Sequence, residues 1–197
     1  MTFELVNTIA TVATFVVIAA TAIAALVQLR HMRAGNQIVA FGELSKAFES
    51  PQMLAAHKYI DTQLAHDLQD SAFREAIANR LARTDETHVK VRHLLNFGHF
   101  FESVAVVVKE GLVPSGLVLR MWSDIIVFGW KRFEPVVAIF RRSQDPLACE
   151  NFEYLVVLAE DWLVAHPKGA YPANMRRLKI EDPWLEVDCN TQPGGVR

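Results

Sequence analysis

The chain lacks the residue sets on which most small-domain chemistry is built. Its only cysteines are Cys149 and Cys189, far apart and without metal-type spacing. That argues against a disulfide framework and a Cys/His zinc site, and leaves two free thiols in a reducing compartment as the expectation. There is no Gly-rich phosphate loop, no Gly-x-Ser-x-Gly elbow and no His-Glu-x-x-His pair. Charge of one sign is missing too: 20 Lys and Arg face 22 Asp and Glu, for a net charge of -2. Arg141-Arg142 and Arg176-Arg177 are too sparse for a nucleic-acid footprint. No nucleic-acid partner, cofactor or metal is therefore expected. Strand signals are weak throughout, with no internal repeat or low-complexity run.

What the chain does have is apolar surface. Hydrophobic residues make up 51% of it, near the upper end of the soluble range, and a large block sits at the N-terminus. From Leu5 to Leu29, 25 residues pass without Asp, Glu, Lys or Arg. As a helix this is roughly 37 Å, at about 1.5 Å per residue, against a bilayer core of about 30 Å. The competing reading is a cleaved signal peptide, with Ala20-Thr21-Ala22 as the cleavage site. Signal peptides, however, start with a basic region and have a shorter apolar core. Here only Glu4 is charged ahead of the block, and Arg30 and Arg33 follow it. A retained single-pass anchor is expected, with the Arg30/Arg33 side in the cytoplasm.

Polar residues in this run recur every seven positions, as Asn7, Thr14, Thr21 and Gln28. They fall along one face of a helix. Amides are costly against lipid tails, and the nearby Ala10, Thr11, Ala24 and Ala25 allow close backbone approach. The stripe is a candidate membrane-helix interface for a second copy or a protein partner. Chance periodicity and hydroxyls bonded to their own helix are the plainer alternatives. A water-lined pore is disfavoured because the stripe carries no charge.

The remaining chain reads as helices. The first is expected to continue to about Glu49 with Ile38, Phe41, Leu44 and Phe48 on its apolar face. Ser50-Pro51 is a stop followed by a start, and the next helix runs to about His66. Asp70 can cap a helix presenting Phe73, Ile77 and Leu81. Thr84 opens a long helix to about Glu110, with Gly111 as its stop. After Pro114-Ser115 another carries Leu117, Met121, Trp122, Ile125, Phe128, Phe133, Val136 and Phe140, and Pro135 should kink it or end it early. These two should pack antiparallel through Phe101, Val104, Trp122 and Phe133. Gln144-Asp145-Pro146 breaks the chain before a last helix with Phe152, Leu155 and Trp162, which ends near His166-Pro167. Three segments result: an anchor over 1–33, a helical domain over 34–167, and an irregular, partly disordered tail over 168–197.

One polar arrangement stands out. His88, Arg92, Asn96, His99 and Ser103 follow one face of a helix, with Glu102 beside it. Bundle di-iron sites use Glu-x-x-His from two helices. Here the order is His99-x-x-Glu102 and there is one copy, so a partly buried polar network of Asn96, His99, Glu102 and Arg120 is the better reading. Glu102, deep in an apolar stretch, needs a partner if buried, and Arg120, Arg132 and Arg141 are the candidates.

Leu94-Leu95-Asn96-Phe97, Phe101-Glu102 and Lys109-Glu110-Gly111-Leu112-Val113 resemble a bacterial family known only as a domain of unknown function. Trp130, Glu134-Pro135, Arg141-Arg142 and Glu150-Asn151-Phe152-Glu153-Tyr154 resemble its later half. The likeness covers roughly residues 5 to 165. It implies small, N-terminally membrane-anchored, all-helical proteins, and supplies no activity or catalytic residues. After Gly111 the family often has an acidic helix cap, where this chain has Pro114-Ser115.

The expectation is therefore an all-α chain: one N-terminal transmembrane helix followed by a cytosolic helical bundle. It would sit in the bacterial inner (cytoplasmic) membrane with its soluble domain in the cytoplasm. Its partners would be membrane lipid and a second copy or another protein, and its work would be binding rather than catalysis. A membrane effector, a toxin or stress or defence component oligomerising in the bilayer, is the alternative. An uncharacterised enzyme comes third.

Overall fold

The structure is a computed structural model that describes residues 2–185. Cys189 and the last part of the expected irregular, partly disordered tail, residues 186–197, lie outside the described residues. Seven α-helices and one 3-10 turn make up the first of two units, residues 1–167, and no strand occurs among the described residues. Helix α1 spans Phe3–Phe48, an unbroken 46-residue element in which no residue is buried. It is long and apolar enough to cross a membrane. Its outer half is uncovered: Phe15, Val17, Ile18, Ile23 and Leu26 are all exposed. Only its last turns meet the core, through Ala40, Phe41, Leu44 and Phe48. Phe41 and Phe48 both stack on Trp122, at 5.5 and 5.2 Å between centroids.

The helix boundaries follow from side-chain chemistry. The Ser50 hydroxyl accepts from the Met53 N–H (3.3 Å) and Pro51 occupies the first turn of α2 (Pro51–Thr62). The expected helix to His66 is broken at Gln63, and the short α3 (Leu64–Asp67) follows. Asp70 caps α4 (Ser71–Ala78) by accepting from the Ala72 N–H at 2.9 Å. That helix ends before Leu81, which falls in the 3-10 turn Arg80–Ala82 and is 95% exposed, contrary to expectation. The Asn79 side chain starts this turn by accepting from the Leu81 N–H, so the apolar period is cut. Thr84 and Thr87 form a reciprocal capping box ahead of α5 (Asp85–Lys109). At the other end the Leu112 N–H reaches back to the Val107 carbonyl and the Gly111 N–H to that of Val108. Gly111 has φ +67°, the left-handed C-terminal stop that glycine adopts without a Cβ penalty.

Helix α6 (Ser115–Ser143) starts at Pro114 without a side-chain cap. Pro135 does not end it; the helix continues for two further turns, buried through Val136, Val137, Ile139 and Phe140. Burial of that apolar face outweighs one missing backbone hydrogen bond. Met121 and Phe128, expected inside, are 60% and 56% exposed. The face that is buried instead runs through Val118, Trp122, Ile126, Phe133 and Val137. Helix α7 (Glu150–Ala165) closes the bundle with Phe152, Leu155, Val156 and Ala159.

Helices α5 and α6 are antiparallel: Phe100 meets Trp122, and Phe97 meets Gly129 and Phe133 further along. A Cβ at Gly129 would lie 2.8 Å from the Phe97 ring, so only glycine permits this approach. The broadest contacts are nevertheless elsewhere, with α7 set against both helices and α2 covering α5. Phe101 is fully buried as expected, but it stacks on Phe152 of α7 (4.7 Å, 12° between planes).

The second unit begins at Lys168. Its residues 168–184 hold turns and no helix or strand. The Arg177 guanidinium lies over the Tyr171 ring and donates to the Lys168 carbonyl at 2.6 Å.

Candidate functional site

On α1 the four stripe residues Asn7, Thr14, Thr21 and Gln28 are all exposed. The Thr14 hydroxyl donates to the Ala10 carbonyl at 2.9 Å and that of Thr21 to the Val17 carbonyl at 2.8 Å. Thr8 and Thr11 bond one turn back in the same way. Each threonine has thus placed its single donor inside its own helix and keeps only acceptor capacity for a neighbour. The Asn7 and Gln28 amides differ, since neither forms a side-chain hydrogen bond among the described residues.

The polar face of α5 does not form the expected network. His99 and Arg120 are exposed, Asn96 and Glu102 are half-buried, and no hydrogen bond joins any two of them among the described residues. None of the three arginines proposed for Glu102 reaches it. Arg141 donates to Glu153 (2.6 Å) and to the Ala148 carbonyl, and Arg132 pairs with Asp61 at 3.5 Å. Glu102 instead accepts from the Phe152 backbone N–H at 2.9 Å and from the Asn151 amide at 3.0 Å. The reason is the start of α7. Its N-cap residue, Cys149, sits in the left-handed region at φ 60° and supplies no side-chain cap. The unpaired N–H groups at a helix start carry partial positive charge, and the Glu102 carboxylate satisfies one of them, that of Phe152, from another helix. Burial pushes the Cys149 thiol up to about 11, with Glu102 adding to the shift and Arg141 opposing it. At neutral pH it is a protonated thiol, a poor nucleophile.

A second polar cluster was not anticipated. The Asp67 carboxylate accepts from the Tyr59 hydroxyl (2.8 Å) and pairs with Lys90 (3.2 Å), which also meets Glu86 (3.0 Å). Burial disfavours the Asp67 carboxylate, but Tyr59, Lys90 and His66 outweigh it and hold its carboxyl below the usual range. These bonds tie α3 to α2 and α5. Of these contacts the Glu86/Lys90 pair is local, one helical turn apart on α5. His57 lies on α2, at helical spacing with Met53, Ile60 and Leu64. It packs edge-on against Phe48 and Phe97, each at 5.0 Å, and its Nε2 is buried without a hydrogen-bond partner. Burial lowers its pKa against the opposing pull of Asp61, so the ring is held neutral.

A groove of about 650 Å³ lies between α2, α3, α4 and α6, with Arg74, Lys131, Arg132 and Arg142 around an apolar floor and Asp61 as the one acid among its lining residues. Among the described residues no three His, Cys, Asp or Glu side chains converge as a metal site would require.

These features define a class: an all-α domain carrying one long, uncovered apolar helix. Residues 15–162 match the family described as "Domain of unknown function (DUF4760)", and the chain belongs to that family. Neither a curated protein nor a solved structure matches it.

Proposed function

We propose that the chain is a single-pass membrane-anchored module that acts by binding, associating with a second copy of itself through the stripe on α1. In this reading α1 crosses the inner (cytoplasmic) membrane, with Arg30, Arg33 and the helical domain on the cytoplasmic side. The observation that carries it is the absence of any protein cover over α1: from Leu5 to Leu29 no side chain is buried. Fully covering one Val, Leu, Ile or Phe is worth about 1.5–3 kcal/mol, so this face needs lipid or protein around it. Within that face the Asn7 and Gln28 amides are the groups that gain most from a partner helix, because Thr14 and Thr21 have already spent their donors. A catalytic role has no support in the groups that converge: Glu102 caps a helix, Asp67 ties helices together, and the Cys149 thiol is held protonated.

A genetic dimerisation reporter fused to the α1 span tests the association. Interhelical polar contacts in membranes average about 0.6 kcal/mol, and about 1–2 kcal/mol in peptides. Asn7→Leu with Gln28→Leu should therefore weaken the signal most, and Thr14→Leu with Thr21→Leu less. Phe15→Leu and Ile18→Leu should leave it nearly unchanged. Equal signals from all variants, or none from the parent, remove self-association through this face.

A further inference from the structure

The α5–α6 turn lies beside α1 at the point where the apolar run ends. A cleft of about 350 Å³ separates them, lined by Leu29, Met32, Arg33 and Asn36 on α1 and by Glu110 and Leu112 on the turn. Leu29 is the last residue of the uncharged run and is followed by Arg30. If α1 spans a bilayer from Leu5 to Leu29, the residues one turn further are at headgroup depth, since about 1.5 Å of rise per residue puts Arg33 about 6 Å beyond Leu29. The turn is then held in the headgroup layer by its place against α1. Its side chains agree. Val113 fills the core slot and is fully buried, whereas Leu112 is left 58% exposed next to Leu29 and Met32.

Resting on the membrane reading above, we infer that this cleft binds a phospholipid with a zwitterionic headgroup bearing a primary ammonium. Leu29, Met32 and Leu112 form an apolar wall for the upper acyl chain. The Arg33 guanidinium and the Asn36 amide supply donors for the phosphate, and a guanidinium matches phosphate oxygens in pairs. Glu110 decides the headgroup: its carboxylate repels a headgroup that is only anionic and accepts from an ammonium. Arg30, outside the cleft, supplies a built-in control for general surface charge.

The test uses the full chain. Flotation with vesicles of phosphatidylethanolamine and phosphatidylglycerol first establishes whether the protein enters a bilayer. Native mass spectrometry of the detergent-solubilised chain, given equal amounts of the two lipids, then reads which is retained. Phosphatidylethanolamine should be preferred. R33Q should lower retention of both about tenfold, the size of one charge-assisted hydrogen bond. E110Q should keep retention and level the ratio between lipids, and R30Q should change neither. A chain that does not float refutes the membrane reading and this site together. A chain that floats but retains both lipids equally, or in which R30Q matches R33Q, refutes the site alone.

Discussion

Replacing Glu102 isolates a helix cap supplied from a distance. Glu102→Ala removes acceptors for the Phe152 N–H and the Asn151 amide at the half-buried start of α7. Hydrogen bonds to charged groups contribute about 1.5–3 kcal/mol, and a carboxylate at a helix N-terminus adds about 0.3–1 kcal/mol. The two bonds share one carboxylate and the Asn151 amide can turn to water, so the sum is not additive; about 2–3 kcal/mol is the expected loss. For a chain of this size each kcal/mol moves Tm by about 2–4 °C, giving a fall of about 4–12 °C. Glu102→Gln keeps an oxygen for the Phe152 N–H but loses the charge and the acceptor for the Asn151 amide, so it should cost less than Glu102→Ala, about 1–2 kcal/mol. The assay is thermal unfolding of the full chain in mild detergent, followed by tryptophan emission. Trp130 is a local reporter because its ring meets Phe152 edge-on at 5.0 Å. If Glu102→Ala lies within about 0.5 kcal/mol of the parent, as an ordinary surface change does, α7 does not depend on this cap and the reasoning is wrong.

Two further outcomes are expected. Phe101→Ala, at a fully buried ring packed on Phe152, Phe97 and Phe100, should cost about 3–5 kcal/mol in the same unfolding assay. Asp67 has its carboxyl held below its unfolded value, so its contribution is present above the ordinary aspartate range and is lost as pH falls through the folded value. Melting curves between about pH 5 and pH 2 should show a slope that Asp67→Asn flattens, since a protonated Asp67 no longer holds Lys90; an unchanged slope in the variant removes Asp67 as a source of acid sensitivity.

The helices were legible wherever a local rule sets them. Ser50-Pro51, Asp70, Thr84 and Gly111 each act through bonds to residues within five positions, which a sequence displays directly. The misreadings share a different cause. Met121 and Phe128 have the right residue type on a helix whose direction of burial depends on where α2, α5 and α7 lie. Pro135 is tolerated because tertiary packing on both sides of it holds α6 together. Glu102 stood out in the sequence as an acid that would need a partner if buried; it is half-buried and has two. The partner was sought among arginines, because a backbone N–H left open by a left-handed Cys149 has no signature in composition. Tyr59, Asp67 and Lys90 converge from three elements, and nothing in their spacing announces it.

The continuity of α1 has a mechanical consequence. Between Arg33 and Phe48 the helix runs about 22 Å, at about 1.5 Å per residue, with no proline and no break. Its far end is clamped by two aromatic rings on the single indole of Trp122, and Phe48 also touches His57 and Phe100. A shaft of this kind has no break in its backbone hydrogen bonding to act as a hinge. Any rotation or tilt imposed on its outer half turns Phe41 and Phe48 against Trp122 and reaches α2, α5 and α6 as a change in ring packing. Two glycines in the shaft, Gly35 and Gly42, have open space around them and are where it would flex first. Stiffening those positions with alanine raises the torque delivered to the bundle.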